Sequence, residues 1–273
     1  MKKYHLIFLL ALSITALLNA QEINFENNTG GPRPINQTIG QFSVLQSFDF
    51  NFSNGGHKFK AIELRRSNRL TRINFQDNDG NDPYHASANY YSTWRFSPIF
   101  GETITGTCRT SCTRQLRPMA GHIPVLQGFM LAFTDGNDHQ ITEMAISLRP
   151  IGIASGRHTL QSILRERNDN RPFRFAAQIV WVPMGNIATA NWTISHRGRY
   201  VGNPYRPTGV RGDAVLKGFT CRYSHRNGND DAHYIKQVRF DLGAAHLNRA
   251  RIAFHDGDAD DWRNCSMNYA TLR

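Results

Sequence analysis

Two acidic segments stand out among the residues able to do chemistry. Asp77, Asp79 and Asp82 surround Gly80 in the first, and Asp256, Asp258 and Asp260 run ahead of Asp261 in the second. Carboxylates at alternate positions of a turn bring oxygens together, and Ca²⁺ takes about six to eight such ligands. These six aspartates are therefore the candidate metal ligands, and Ca²⁺ is the candidate ion. The same composition also suits a plain hairpin turn, because Asp, Asn and Gly tolerate turn backbone geometry. No EF-hand glutamate follows at position twelve of either loop.

Arginines form the second chemical group. Arg65, Arg66, Arg69 and Arg72 cluster in one stretch, and Arg165, Arg167, Arg171 and Arg174 in another. A guanidinium grips carboxylate, sulfate or phosphate through two parallel N–H donors. Trp262 adjoins the second acidic loop and is out of phase with Cys265 and Met267, so it is expected on the surface. Arg65, Arg66, Arg69, Arg72, Arg167, Arg171 and Trp262 form the candidate ligand-binding set. His57, His139 and His233 recur at one place per repeat, without a second histidine or cysteine at ligand spacing. A structural role, bonding a turn, is the expectation for them.

Motifs for covalent or hydrolytic catalysis are missing. The chain holds no Gly-x-Ser-x-Gly, no His-Glu-x-x-His and no glycine-rich phosphate loop. The reading is of a non-enzyme, with a polysaccharide hydrolase using an unrecognised carboxylate pair as the third choice. Nothing resembles a dedicated nucleic-acid module.

The elements that position these residues emerge from the wider pattern. The chain has 273 residues, with 32 Lys+Arg against 21 Asp+Glu, a formal charge of +11. Of the basic residues, 26 are Arg and 6 are Lys. Phe, Tyr and Trp number 17, 9 and 4, enough for a packed core and too many for a disordered chain. Met1-Lys2-Lys3, an apolar run from Leu6 to Leu18, and Asn19-Ala20-Gln21 read as a bacterial-type signal peptide cleaved after Ala20. No later stretch is apolar for long enough to span a membrane as a helix. The expected location is secreted, periplasmic or at the cell surface.

A threefold repeat organises the rest of the chain. Val44-Leu45-Gln46-Ser47-Phe48 returns as Val125-Leu126-Gln127-Gly128-Phe129 and as Val215-Leu216-Lys217-Gly218-Phe219, at offsets of 81 and 90 residues. After each histidine, apolar residues fall at plus two, plus five and plus seven: Phe59, Ile62, Leu64; Ile141, Met144, Ile146; Ile235, Val238, Phe240. Phe48, Phe50 and Phe52 alternate with polar residues, the period of a half-buried strand. The parity break between plus two and plus five calls for a β-bulge in each copy, with a single helical turn as the alternative.

Four cysteines in an exported chain suggest two disulfides. Cys221 and Cys265 both fall on the inward parity, so they are expected to pair. Cys108 and Cys112 would then close a short loop.

The fold class is all-β: three tandem antiparallel β-sandwich-like repeats over 21–105, 106–190 and 191–273, after a signal peptide over 1–20. The alternative is one pseudo-threefold β domain with a shared core. Exported β modules with polar loops resemble lectin-like and other carbohydrate-binding modules in architecture. The function expected is a secreted, lectin-like binding protein recognising anionic glycans, with an extracellular or cell-surface glycan as partner. A structural or adhesive part in an extracellular protein assembly is the alternative.

Overall fold

A computed structural model describes residues 20–26, 32–34, 42–67, 70–77, 83–93, 99–152, 156–166, 171–198, 204, 212–223, 233–242, 250–255 and 263–273. The protein is all-β, with three antiparallel sheets. Its strands are β1 (Ala20–Glu26), β2 (Pro32–Pro34), β3 (Phe42–Phe52), β4 (Ala61–Ser67), β5 (Leu70–Gln76) and β6 (Tyr84–Thr93). Next come β7 (Ile99–Cys108), β8 (Ser111–Gln115), β9 (His122–Phe133), β10 (Ile141–Gly152), β11 (Arg157–Glu166) and β12 (Phe173–Pro183). The last are β13 (Ile187–Gly198), β14 (Ala214–Tyr223), β15 (Gln237–Asp241), β16 (Arg251–His255) and β17 (Arg263–Leu272).

Each sheet mixes two repeats. Sheet one runs β1-β6-β3-β15-β16, sheet two runs β7-β12-β9-β4-β5-β2, and sheet three runs β13-β17-β14-β10-β11-β8. The central hairpin of every repeat thus leaves its own first and last strands and pairs with the next repeat. The third repeat donates β15–β16 back to β3 of the first, which closes a ring. Among the two arrangements expected, the shared pseudo-threefold one describes this pairing. The module edges at 105/106 and 190/191 cut through β7 and β13, because those strands begin the second and third structural units as β1 begins the first.

The core is a product of this exchange. Phe48, Phe129 and Phe219 are buried, and their ring centroids lie 5.0, 5.2 and 5.2 Å apart, a nearly equilateral triangle. Phe50, Phe52, Phe75, Leu131, Phe175, Phe240 and Phe254 extend one continuous apolar cluster across all three sheets. Val44, Val125 and Val215 belong to a second cluster, with Tyr91, Val180, Val182 and Leu272.

A bulge separates the two clusters in every copy. Register shifts between Leu45 and Ser47, between Leu126 and Gly128, and between Leu216 and Gly218 leave Gln46, Gln127 and Lys217 unopposed. The extra residue lets the leucine and the phenylalanine three positions on both face the main core, while the adjacent valine falls on the opposite face, in the other cluster. Gly218 sits at this place with φ of 153°, and an added Cβ would strike the backbone of Ile146.

The bulge expected after each histidine is also present. In the second repeat the register shifts between Ile141 and Glu143. In the other two, the N–H groups of Lys60 and Lys236 donate to the carbonyls of Gln76 and His255, residues already opposite Ala61 and Gln237.

Both expected disulfides form. Cys221 and Cys265 are directly opposite on β14 and β17, where the other repeats place Phe50 with Ala86 and Leu131 with Phe175. Cys108–Cys112 joins the end of β7 to β8. Two disulfides are compatible with an extracellular protein. No helix among the described residues is long and apolar enough to cross a membrane. Residues 1–19, which carry the signal-peptide expectation, lie outside the described residues.

Candidate functional site

The histidines stand where the three repeats lock together. His57 pairs with Ile235, His139 with Phe59, and His233 with Ile141, each through two backbone hydrogen bonds. Each histidine thus bridges to the plus-two residue of the preceding repeat, and the three bridges close a cycle. The rings pack against the core: His57 on Phe52 at 4.5 Å, His139 edge-on to Phe133 at 4.5 Å and His233 on Tyr223 at 4.3 Å.

Carboxylates hold two of these rings from outside. Asp77 Oδ2 lies 3.0 Å from His57 Nδ1, and Glu166 Oε2 lies 3.1 Å from His139 Nδ1. Asp77, just after β5, and Glu166, the last residue of β11, occupy the same place in their repeats. Asp135 meets the other nitrogen of His139 at 3.0 Å, and hydrogen bonding to that ring together with nearby Arg171 holds its carboxyl below the usual range against the opposing effect of burial. Asp77 is buried and serves the histidine bridge, a structural task the acidic-turn pattern did not reveal. Asp79, Asp82, Asp256, Asp258 and Asp260 lie outside the described residues. Among the described residues, no three His, Cys, Asp or Glu side chains converge as a metal cage.

The candidate arginines separate into different settings. Arg66 points inward, 6% exposed, with its guanidinium 5.7 Å from the Tyr90 ring. Burial lowers its pKa and raises that of Tyr90. It takes a place where the other repeats carry Leu148 and Leu242, so its contribution is to the core rather than to a surface ligand. Arg65 lies on the outer face, ion-paired to Glu63 at 2.5 Å and directly opposite exposed Arg72 on β5. Arg171 is about half exposed and lies 3.8 Å from Asp135 and 3.7 Å from Glu166. Arg69, Arg167 and Trp262 lie outside the described residues.

Strand pairing assembles a further row that spacing alone could not show. On the outer face of sheet three, Arg197, Asn264, Arg222, Glu143 and Arg165 stand directly opposite one another on five adjacent strands. Arg197, Asn264 and Arg222 are exposed, and Arg165 pairs with Glu143 at 3.1 Å. Further along the same strands, Thr193, Asn268, Gly218 and Ser147 line up in turn, joined by Thr193–Asn268 and Asn268–Ser147 hydrogen bonds of 2.7 and 3.0 Å. This second row lies four residues along the strands from the basic one; Thr193 is exposed and Asn268 half-buried, while Gly218 and Ser147 are buried. These residues come from the second and third repeats, so only the exchanged hairpin brings them together.

The outer face of sheet one differs. Asp49 Oδ1 accepts from Gln237 Nε2 at 2.7 Å, and Oδ2 lies 3.4 Å from Arg239 Nε. Gln237 Oε1 in turn meets His255 Nε2 at 3.1 Å. Burial raises the Asp49 carboxyl above its usual range, against the lowering effect of Gln237 and Arg239. This network ties the returning β15–β16 hairpin to β3.

The sequence matches no family model and no curated protein. The all-β fold is compatible with a binding or adhesive domain.

Proposed function

We infer that this is a secreted, non-catalytic, lectin-like protein that binds anionic glycans. The observation that carries the reading is the row Arg197–Asn264–Arg222–Glu143–Arg165, in which Arg197, Asn264 and Arg222 are exposed. Guanidinium groups suit sulfate or uronate carboxylate, and the exposed Asn264 amide between Arg197 and Arg222 suits a sugar hydroxyl. Strands hold this row, so little ordering is needed on binding. Arg65, Arg72 and Arg171 extend the basic surface to other faces.

A glycan array of sulfated, uronate-bearing and neutral sugars, run with and without chelator, tests the reading. Binding to the acidic sugars, weakened at least about tenfold by Arg197→Ala with Arg222→Ala, is the expected result, a loss of about 1.4 kcal/mol. Weaker binding after chelation would assign Ca²⁺ to the acidic loops that begin at Asp77 and Asp256. Absence of glycan binding under both conditions would sink the proposal, and turnover of a polysaccharide would replace it with a hydrolase.

A further inference from the structure

We propose that β7 is a pairing edge for a second copy of this chain. A strand at a sheet edge offers unpaired N–H and C=O groups to any other extended chain, and proteins guard such edges with prolines, charges, bulges or short length. Most edges here carry one of these guards. β2 is Pro32-Arg33-Pro34. β8 is five residues long with exposed Arg114. β13 has two register shifts against β17 and carries exposed Arg197 one residue before its end. β16 is five residues long, begins with exposed Arg251, and is preceded by Ala250, whose N–H donates to Pro204. β1 carries Glu22 and Glu26 in its sequence.

β7 is built differently. It has ten residues, Ile-Phe-Gly-Glu-Thr-Ile-Thr-Gly-Thr-Cys, with no proline and one charge, Glu102. It pairs with β12 without a shift from Cys108 to Glu102. Among the described residues, no backbone hydrogen bond joins β7 to anything but β12. Thr103, Thr105 and Thr107 alternate along it, all exposed, with Ile104 and Gly106 between them facing the other way. The register with β12 shifts between Glu102 and Ile99, and beyond that shift the edge runs regularly for seven residues, four of them β-branched: Thr103, Ile104, Thr105 and Thr107.

The order of residues selects a second copy as the occupant. Two antiparallel strands related by a twofold axis pair residue with residue about a fixed centre. Centred on Thr105, that pairing sets Thr105 against Thr105 and Thr103 against Thr107, twice. Threonine pairs across antiparallel strands are favourable, and like charges directly opposite are not. In this register Glu102 faces Cys108 and never its own copy. The result is a sheet continuous across two molecules.

Sedimentation velocity on the full mature chain, from low micromolar concentration to the solubility limit, tests the proposal. A shift from monomer to dimer mass is expected. Thr105→Lys would place two ammonium groups against each other and hold the protein at monomer mass, with an unchanged circular dichroism spectrum. Monomer mass for the wild type throughout, or a dimer that persists in Thr105→Lys, would overturn it. Thr105→Cys supplies a readout that needs no disruptive charge. The twofold brings the two cysteines within disulfide reach, so oxidation should yield a covalent dimer, whereas Thr113→Cys on β8 should not. Equal cross-linking of both variants, or none for Thr105→Cys, would also overturn it.

Discussion

The rings of Phe48 and Phe129 are separated by 81 positions in the chain, and their centroids lie 5.0 Å apart across the molecular axis. Phe219 completes the triangle at 5.2 Å from each. Three copies of one motif thus share a single contact, and no repeat can bury its own phenylalanine alone. Cooperativity is the consequence of that geometry.

Phe129→Ala should cost about 3–5 kcal/mol, the range for a fully buried phenylalanine. The loss should appear as one transition in which far-UV dichroism and tryptophan fluorescence coincide, since Trp181 is buried in the same cluster. Separate transitions for the two probes would show that the repeats unfold independently.

Lys217 is the third copy of Gln46 and Gln127, yet it is 1% exposed and donates to the carbonyl of Ala190 and to Asn191 Oδ1. Burial pushes its amine down to about 8 from 10.5. Below about pH 8 both folded and unfolded states hold the proton, and the folded state bears a buried charge. Between about 8 and 10.5 the folded state releases the proton first, so stability should rise with pH across that window. Lys217→Gln, which restores the residue of the other repeats, should stabilise the protein at neutral pH by about 1–3 kcal/mol and flatten that rise. A melting temperature that falls at pH 7 would contradict this.

Asp49 titrates with the opposite consequence. Its folded carboxyl is raised by burial, so the folded state favours the protonated form, and stability should decline as pH rises from 3.8 through the folded value. Asp49→Asn should remove that decline and melt higher than wild type at neutral pH. Thermal scans of both proteins across the acidic range decide the matter. A lower melting temperature for the variant would show that the Arg239 and Gln237 contacts outweigh burial.

The Cys221–Cys265 disulfide replaces an apolar contact found in the other repeats. Cys221→Ala with Cys265→Ala should cost about 2–4 kcal/mol. Cys221→Leu with Cys265→Phe copies the Leu131–Phe175 pair of the second repeat and should recover part of that loss. Denaturant midpoints of the two double variants give the comparison, and equal midpoints would show that packing at this site does not matter.

Many of these features were legible in the residues themselves. The alternation of Phe48, Phe50 and Phe52 predicts inward faces, and all three are buried. Parity paired Cys221 with Cys265, and the break after each histidine located a bulge. Tyr84 alternates in step with Ala86, Ala88 and Tyr90, and Phe173 with Phe175, and they are 3% and 0% exposed. These are local properties, because a strand's two faces are set by its period of two whichever strand lies beside it. The expectation that the three histidines are structural rests on the same recurrence and agrees with their bridges.

Sheet membership is not a local property. The pattern in β4 or β10 is the same whether the hairpin folds back on its own repeat or pairs with the next, so spacing could not reveal the exchange. The row from Arg197 to Arg165 exists only because β10–β11 joins β14, which already carries β17 and β13 on its other side. Arg66 shows the same limit. Its neighbours in sequence suggested a surface cluster, yet its place in the strand turns it inward, onto Tyr90. Composition and period determined the strands, their inward faces and the disulfide pairing. The tertiary structure alone decided which repeat completes which sheet, because that choice is settled by the phenylalanines and histidines meeting across the axis.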